Sequence, residues 1–447
     1  MFKRFSFKLT YTQTIAFGFL MIIIVGASVL CLPISSKSGD WTPPLDALFT
    51  ATSAICVTGL VLFDTYTHWS VFGQIVLILM VQTGGIGFMT LVTMFSIFRK
   101  RKIGLHERQL LVHSAGTLKL SGVVRLIKRI VKGALCIELA GTILLALRFC
   151  PRMGFKSGLY NAVFHSVSAF CSAGFDLMGR NKQFSSLSEY ADDPVVNITV
   201  IMLIVTGGIG FVVWDDIARH KLTFRNYELH SKIALTTTGL LIVVGWLLFA
   251  VFESGGVLSE MEGHDKAIAA LFMSVTPRTG GFSTVHTAEL SESGVFLTII
   301  LMFIGGSSGS TAGGIKTTTL AVLALTSFAA ARKMRHVTAF KRRIDDCIVR
   351  EAGALVCVYF TVVTAAVLIL CALESFSLKQ ILFEAASAIG TVGLSMGITP
   401  FLGNAAKVVI MLLMFIGRVG WLTLVFALAG EHYDPPVERV PEKILIG

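Results

Sequence analysis

Charge is scarce in this sequence. Of its 447 residues, 15% are Asp, Glu, Lys or Arg, where a water-soluble domain carries about a quarter. That shortage excludes an ordinary soluble globular protein. Cysteine is sparse and unpaired. The eight cysteines are dispersed with no Cys-x-x-Cys, so neither a disulfide framework nor a zinc site is indicated. A nucleophile triad and a phosphate loop are also lacking. Thr206-Gly-Gly-Ile-Gly210 lies inside an apolar run rather than after a strand, which excludes a dinucleotide fingerprint. The chain is not expected to be an enzyme or to carry a covalent cofactor. The basic start, 1–8, runs into apolar sequence without a small-residue cleavage site, so a permanent first helix with a cytoplasmic N-terminus is expected.

What is abundant is apolar length. The chain is 54% hydrophobic with a mean hydropathy of +0.76. Runs at 15–32, 71–98, 233–252 and 355–373 reach the ~20 residues that a bilayer-crossing helix needs. The net charge of +11 is distributed in blocks: of 38 Lys and Arg, about 26 fall in 1–8, 99–132, 219–232, 332–350 and the tail 431–447. These blocks alternate with acidic loops such as 189–193 and 253–265. This is the positive-inside pattern. It predicts a multi-pass plasma-membrane protein with both termini in the cytoplasm, and it removes any need for a nucleic-acid partner.

Four segments repeat one another. Phe49-Thr-Ala-Thr-Ser-Ala-Ile-Cys-Val-Thr-Gly59 aligns with Phe164-His-Ser-Val-Ser-Ala-Phe-Cys-Ser-Ala-Gly174, with the shorter Phe272-Met-Ser-Val-Thr-Pro-Arg-Thr-Gly-Gly281 and with Phe383-Glu-Ala-Ala-Ser-Ala-Ile-Gly-Thr-Val-Gly393. Each is followed by a large apolar residue: Leu60, Phe175, Phe282 or Leu394. A second mark follows in each case, at Thr83-Gly-Gly85, Thr206-Gly-Gly208, Ile304-Gly-Gly306 and Ile416-Gly-Arg418. Each unit reads as helix, half-helix, glycine turn, helix. The helices are expected at about 11–33 and 70–98, 125–147 and 194–214, 232–253 and 293–331, and 350–373 and 404–430. Segments such as 44–54 and 378–388 are too short to span and fit re-entrant loops.

The expected fold is an all-α polytopic membrane protein with eight transmembrane helices and four re-entrant loops around one pseudo-fourfold pore. Its repeats cover 1–110, 111–225, 226–340 and 341–430, with a cytoplasmic tail at 431–447. An even number of crossings separates equivalent points, so the repeats are parallel, unlike the inverted repeats of many secondary transporters.

The glycine turns suit a dehydrated cation, which needs oxygen ligands in place of its water shell. Glycine permits the required backbone, and each half-helix would aim its negative end at the cavity. Thr391-Val392-Gly393 resembles the start of a potassium-channel filter. Val57-Thr58-Gly59 after Cys56, Ser172-Ala173-Gly174 after Cys171, and Thr279-Gly280-Gly281 are more degenerate versions.

With these motifs the sequence resembles the Ktr/Trk/HKT family of potassium transporters over nearly its whole length, and in length it is most similar to the membrane subunit of bacterial Ktr systems. The resemblance implies one pore per chain, with a single filter glycine from each repeat: Gly59, Gly174, Gly281 and Gly393. It implies potassium, or sodium, in the filter and a looser preference than a true potassium channel has. It also implies a homodimer and a cytosolic nucleotide-binding ring as partner.

The third repeat's second helix contains a run rich in small residues, Gly305, Gly306, Ser307, Ser308, Gly309, Ser310, Thr311, Ala312, Gly313 and Gly314, that ends at Lys316. So much glycine and serine should unwind a helix, and broken backbone at membrane depth must face a cavity. A small-residue packing seam is the other reading. By the resemblance this segment is a gating loop below the filter.

Arg418 replaces the second glycine of the other repeats and is expected beneath the filter, either as a barrier that holds the loop or as a structurally paired arginine. Lys316 is either part of the gate or a cytoplasmic-edge anchor. Arg278 is expected at the outer end of its half-helix, capping carbonyls. Glu138 and Glu384 are expected to pair with Arg or backbone donors rather than to bind ions, and Asp215-Asp216 to lie in a solvated loop.

The function expected is potassium uptake through a gated pore, passive or as sodium symport. The alternatives are the potassium-binding subunit of an ATP-driven pump and a sodium-conducting transporter.

Overall fold

The computed structural model describes residues 11–87, 90, 123–221, 223–259 and 261–420. The basic start, the end of the expected 70–98 helix, most of the 99–132 loop, the end of the 404–430 helix and the tail lie outside these residues.

The first repeat comprises α1 (Tyr11–Cys31), half-helix α2 (Pro44–Ile55), one turn α3 (Thr65–His68) and α4 (Val71–Ile86). The second comprises α5 (Val123–Met153), half-helix α6 (Phe155–Phe170), α7 (Pro194–Ile209) and α8 (Phe211–His220). The third has α9 (Leu229–Phe252), half-helix α10 (Gly263–Val275), α11 (Glu292–Phe303) and α12 (Thr317–Ala331), then a two-residue hairpin pairing β1 (Thr338–Ala339) with β2 (Arg342–Arg343) antiparallel. The fourth has α13 (Asp346–Leu373), half-helix α14 (Leu378–Gly390) and α15 (Asn404–Val419).

The first helix of each repeat is long and apolar enough to span a membrane. Each turns an apolar face outward, through Leu20 and Ile24, Leu139 and Ile143, Leu240 and Leu247, or Phe360 and Leu368. Such faces are stable only against lipid. The half-helices, 12 to 16 residues long, reach about 1.5 Å per residue and end inside the protein. Their aligned aromatic anchors Phe49, Phe164, Phe272 and Phe383 are almost wholly buried. Side-chain oxygens start the second helices: Ser70, Asp193 and Ser291 accept the free N–H groups of α4, α7 and α11.

The second helices depart from the expected continuous spans. α4 stops at Ile86 with Gly87 at φ +88°, α7 at Ile209 with Gly210 at φ +105°, and α15 at Val419 with Gly420 at φ +86°. An α-helix cannot continue through a left-handed residue, and α8 leaves α7 at 94°. The expected 194–214 helix is therefore two. The third repeat opens as expected, between Phe303 and Thr317.

Candidate functional site

The half-helices end in four turns with one backbone pattern. Two residues before each key glycine φ is positive: Val57 +55°, Ser172 +60°, Thr279 +72° and Thr391 +50°. The glycines are positive as well: Gly59 +88°, Gly174 +70°, Gly281 +76° and Gly393 +93°. The residues between them, Thr58, Ala173, Gly280 and Val392, are not.

The turns meet in cyclic order. A Cβ on Gly59 would stand 2.2 Å from the Ala173 carbonyl oxygen, one on Gly174 2.8 Å from the Gly281 Cα, one on Gly281 2.5 Å from the Val392 oxygen, and one on Gly393 2.3 Å from the Thr58 oxygen. The four strands form a closed ring with no room for a side chain on its glycines.

Hydroxyls brace this ring from behind. Gly59 N–H donates to Ser53 Oγ (3.0 Å) and Gly393 N–H to Ser387 Oγ (3.1 Å). Ser168 Oγ donates to the Phe175 oxygen (2.7 Å) and Thr276 Oγ1 to the Phe282 oxygen (2.5 Å). Reading the sequence for glycines alone misses these four residues. Their signal is a Ser or Thr four places after the aligned phenylalanine in every copy.

On one side the ring floors a cavity of about 350 Å³, lined by all four glycines and by Asp176, Ser283, Ser395 and Thr399 among others. Asp176 was not singled out in the sequence. Partial burial and the neighbouring Asp64, offset in part by the Met178 N–H, push its carboxyl up to about 7.

On the other side lies the segment 304–316. The N–H groups of Ser307 and Thr311 donate to the carbonyls of Gly208 (2.8 Å) and Gly207 (3.3 Å), and Phe211 N–H donates back to Gly309 (2.7 Å). Thr311 Oγ1 reaches the Phe170 oxygen and Ser172 Oγ, both at 3.2 Å. Gly313 packs against Thr391, with no space for a Cβ. The segment's own ends are tied by Gly305 N–H to the Ile315 oxygen (2.9 Å) and by Ser307 Oγ to Thr317 Oγ1 (2.9 Å). Ser308 Oγ meets Thr318 Oγ1, and Ser310 Oγ accepts from Ala312 N–H.

Arg418 completes the clamp, donating to the Thr311 carbonyl of the loop and to the Gly84 and Gly85 carbonyls of the first repeat. Lys316 donates to the Ala312 (2.7 Å) and Gly313 (3.3 Å) oxygens. It is turned into the loop, with Gly314 at φ +68° making the bend.

Other expectations change. Arg278 is at the inner end of its half-helix, not the outer. It shares a small void with Gly208 and Gly306, and its nearest acceptors are the Thr238 carbonyl (3.4 Å) and hydroxyl (3.5 Å) on α9. Among the described residues Glu138 pairs with neither arginine nor backbone donors: both its oxygens accept from Gln82 Nε2 (2.9 and 3.1 Å), and Gln82 in turn accepts from Cys171 Sγ (3.3 Å). Cys56 and Cys171 cap their half-helices and are fully buried. Glu384 accepts from the hydroxyls of Ser395 and Thr399. Asp215 and Asp216 are on α8 rather than in a solvated loop. Asp215 pairs with Arg129 (2.5 Å) and Arg219, and Asp216 with His220 (2.8 Å) and the Glu228 N–H (2.8 Å).

Comparison with known proteins follows the same lines. Residues 6–435 match the family model described as TrkH, cation transport protein. The chain is 40% identical over 449 residues to the potassium/sodium uptake protein NtpJ of Enterococcus hirae, covering 98% of each. It is 40% identical over 425 residues to the Ktr system potassium uptake protein B of Bacillus subtilis, covering 94% of each. The fold is similar to that of the potassium transporter TrkH from Vibrio parahaemolyticus, with a TM-score of 0.75 over 96% of this chain and 86% of that one, at 18% identity.

Proposed function

The chain belongs to the TrkH family of cation transport proteins, and from that premise we propose that it takes up potassium ions through the ring of Gly59, Gly174, Gly281 and Gly393. The observation that carries this reading is the closed ring of four equivalent turns, in which the Ala173, Val392 and Thr58 carbonyls stand against the glycines of neighbouring turns. A potassium ion would exchange water for these oxygens as it passes. The half-helix C-termini behind them favour positive charge. Filter residues are Cys56 to Gly59, Cys171 to Gly174, Thr279 to Gly281 and Thr391 to Gly393, with potassium, and sodium less readily, as cargo and no covalent cofactor. One glycine per strand offers few ligand layers, so discrimination against sodium is modest.

The loop from Gly305 to Lys316, with Arg418, is the gate. Its bonds to Gly207, Gly208 and Phe211 and the Arg418 fork hold it across the path below the ring. The cavity above the ring faces the extracellular side, and ions run down the membrane potential, unaided or with sodium as symported ion. The printed names of its relatives, a Ktr system protein B and a potassium/sodium uptake protein, support a membrane subunit that works with a regulatory component. A homodimer on a cytosolic nucleotide-binding ring is the form proposed. Near-equal length with these relatives favours this over a pump subunit.

The test is rubidium-isotope flux into liposomes containing the purified protein, with and without a cytosolic partner, for wild type and Gly393→Asp. Flux blocked better by potassium than by sodium, and lost in the variant, supports the reading. Flux unaffected by Gly393→Asp, with sodium competing equally, overturns it.

A further inference from the structure

The four positions two residues beyond the ring glycines are Val61, Asp176, Ser283 and Ser395. All four line the cavity above the ring. They form a second tier around the same axis, and its symmetry is broken: Asp176 and Ser283 offer side-chain oxygen, the Ser395 hydroxyl is engaged by Glu384, Gly397 and Thr399, and Val61 offers methyl groups. Asp176 is the single acidic residue lining this cavity among the described residues. Its one hydrogen bond there is accepted by Oδ1 from the Met178 N–H at 2.9 Å, which leaves Oδ2 for the cavity.

The wall that carries Asp176 is fixed. Asp64 accepts the N–H groups of Tyr66, Thr67 and Phe184, and Gly179 packs against the same carboxylate. At about 350 Å³ the cavity holds roughly ten waters at ~30 Å³ each, too wide to strip an ion of its shell. A carboxylate in such a space concentrates cations without choosing among them, and with its carboxyl pushed up to about 7 by burial Asp176 does so above neutral pH.

We propose that Asp176, with the Ser283 hydroxyl, holds a hydrated alkali cation above the glycine ring as a loading site. The inference rests on the reading of the ring as the filter and adds a step before it. The cation keeps most of its water in this tier and loses it one level below. His286, which lines the cavity, accepts from the Lys182 ammonium at 3.2 Å, and Lys182 is the positive group held beside it.

Rubidium flux into liposomes at about pH 8.5, where the Asp176 carboxyl is ionised, and at about 0.01 M and about 0.3 M ionic strength, adjusted with an impermeant organic salt, tests this for wild type, Asp176→Asn, Asp176→Glu and Ser283→Asp. At low ionic strength Asp176→Asn raises the apparent KM about three- to tenfold, Asp176→Glu stays near wild type and Ser283→Asp lowers KM. The differences shrink at high ionic strength, where the screening length falls below about 10 Å. The potassium-to-sodium competition ratio stays constant throughout. An unchanged KM in Asp176→Asn at low ionic strength overturns the loading site, as does an unchanged KM in Ser283→Asp should Asp176→Asn fail to fold. Gly393→Asp run in parallel separates the two readings: its loss of flux with unaltered KM in the tier variants removes the loading site alone, whereas retained flux removes the filter.

Discussion

The guanidinium of Arg418, at the end of the fourth repeat's second helix, donates to the main-chain oxygen of Thr311 in the third repeat's loop. The same group bonds the Gly84 and Gly85 carbonyls of the first repeat. One side chain therefore joins three repeats under the ring, and on the proposed path it sets a positive charge where a cation would pass. On that proposal both effects oppose conduction.

Replacing Arg418 by Gln removes the charge and the fork. A hydrogen bond to a charged group contributes about 1.5–3 kcal/mol, so losing one shifts the loop toward its open state by at least about tenfold. Rubidium flux without any cytosolic partner should rise accordingly. Arg418→Lys keeps charge but not the forked geometry and should fall between the two.

Gly281 tolerates no side chain. Its φ of +76° costs an L-residue about 1 kcal/mol or more, and a Cβ would meet the Val392 oxygen at 2.5 Å and the Gly174 Cα at 2.6 Å. Gly281→Ala should reduce flux at least about tenfold while the protein stays monodisperse in size-exclusion chromatography, because the strain falls on one turn.

Ser387→Ala leaves the Gly393 N–H without the Oγ that accepts it at 3.1 Å. A buried amide left unpaired costs about 1–3 kcal/mol, and the turn relaxes. The potassium-to-sodium competition ratio should fall about three- to tenfold, with total flux retained. Ser387→Thr keeps a hydroxyl, as Thr276 does in the third repeat, and should restore the ratio.

Gly210→Ala strains a residue at φ +105° and pushes a Cβ to within 2.8 Å of the Ser308 oxygen. The neighbouring bond from Phe211 N–H to Gly309 is the price of relief. Partner-independent flux should increase about three- to tenfold, with the competition ratio unchanged. An altered ratio and unaltered flux would disconnect α7–α8 from the gate.

The repeats were legible because four equivalent turns need the same residues: a buried phenylalanine, a short half-helix and a glycine where strands meet. The unwinding of 304–316 was legible for a similar reason, since glycine and serine cannot sustain a helix there. The breaks at Gly87, Gly210 and Gly420 were harder, because a glycine inside an apolar run signals equally well a helix that packs closely and one that stops. Only φ separates the two. Arg278 and Glu138 were misread in detail because their partners, Thr238 and Gln82, lie 40 and 56 residues away. Nothing local marks such pairs. Asp176 stayed hidden because it is significant only as one member of a tier that the closed ring creates.

The central claim is that the cation is held by the four glycine turns. The most direct test is anomalous scattering from crystals of the protein soaked in rubidium. The account predicts the strongest rubidium peak on the axis inside the ring of Gly59, Gly174, Gly281 and Gly393, within reach of all four strands' carbonyls. A strongest peak off that axis, with the ring empty, would contradict it.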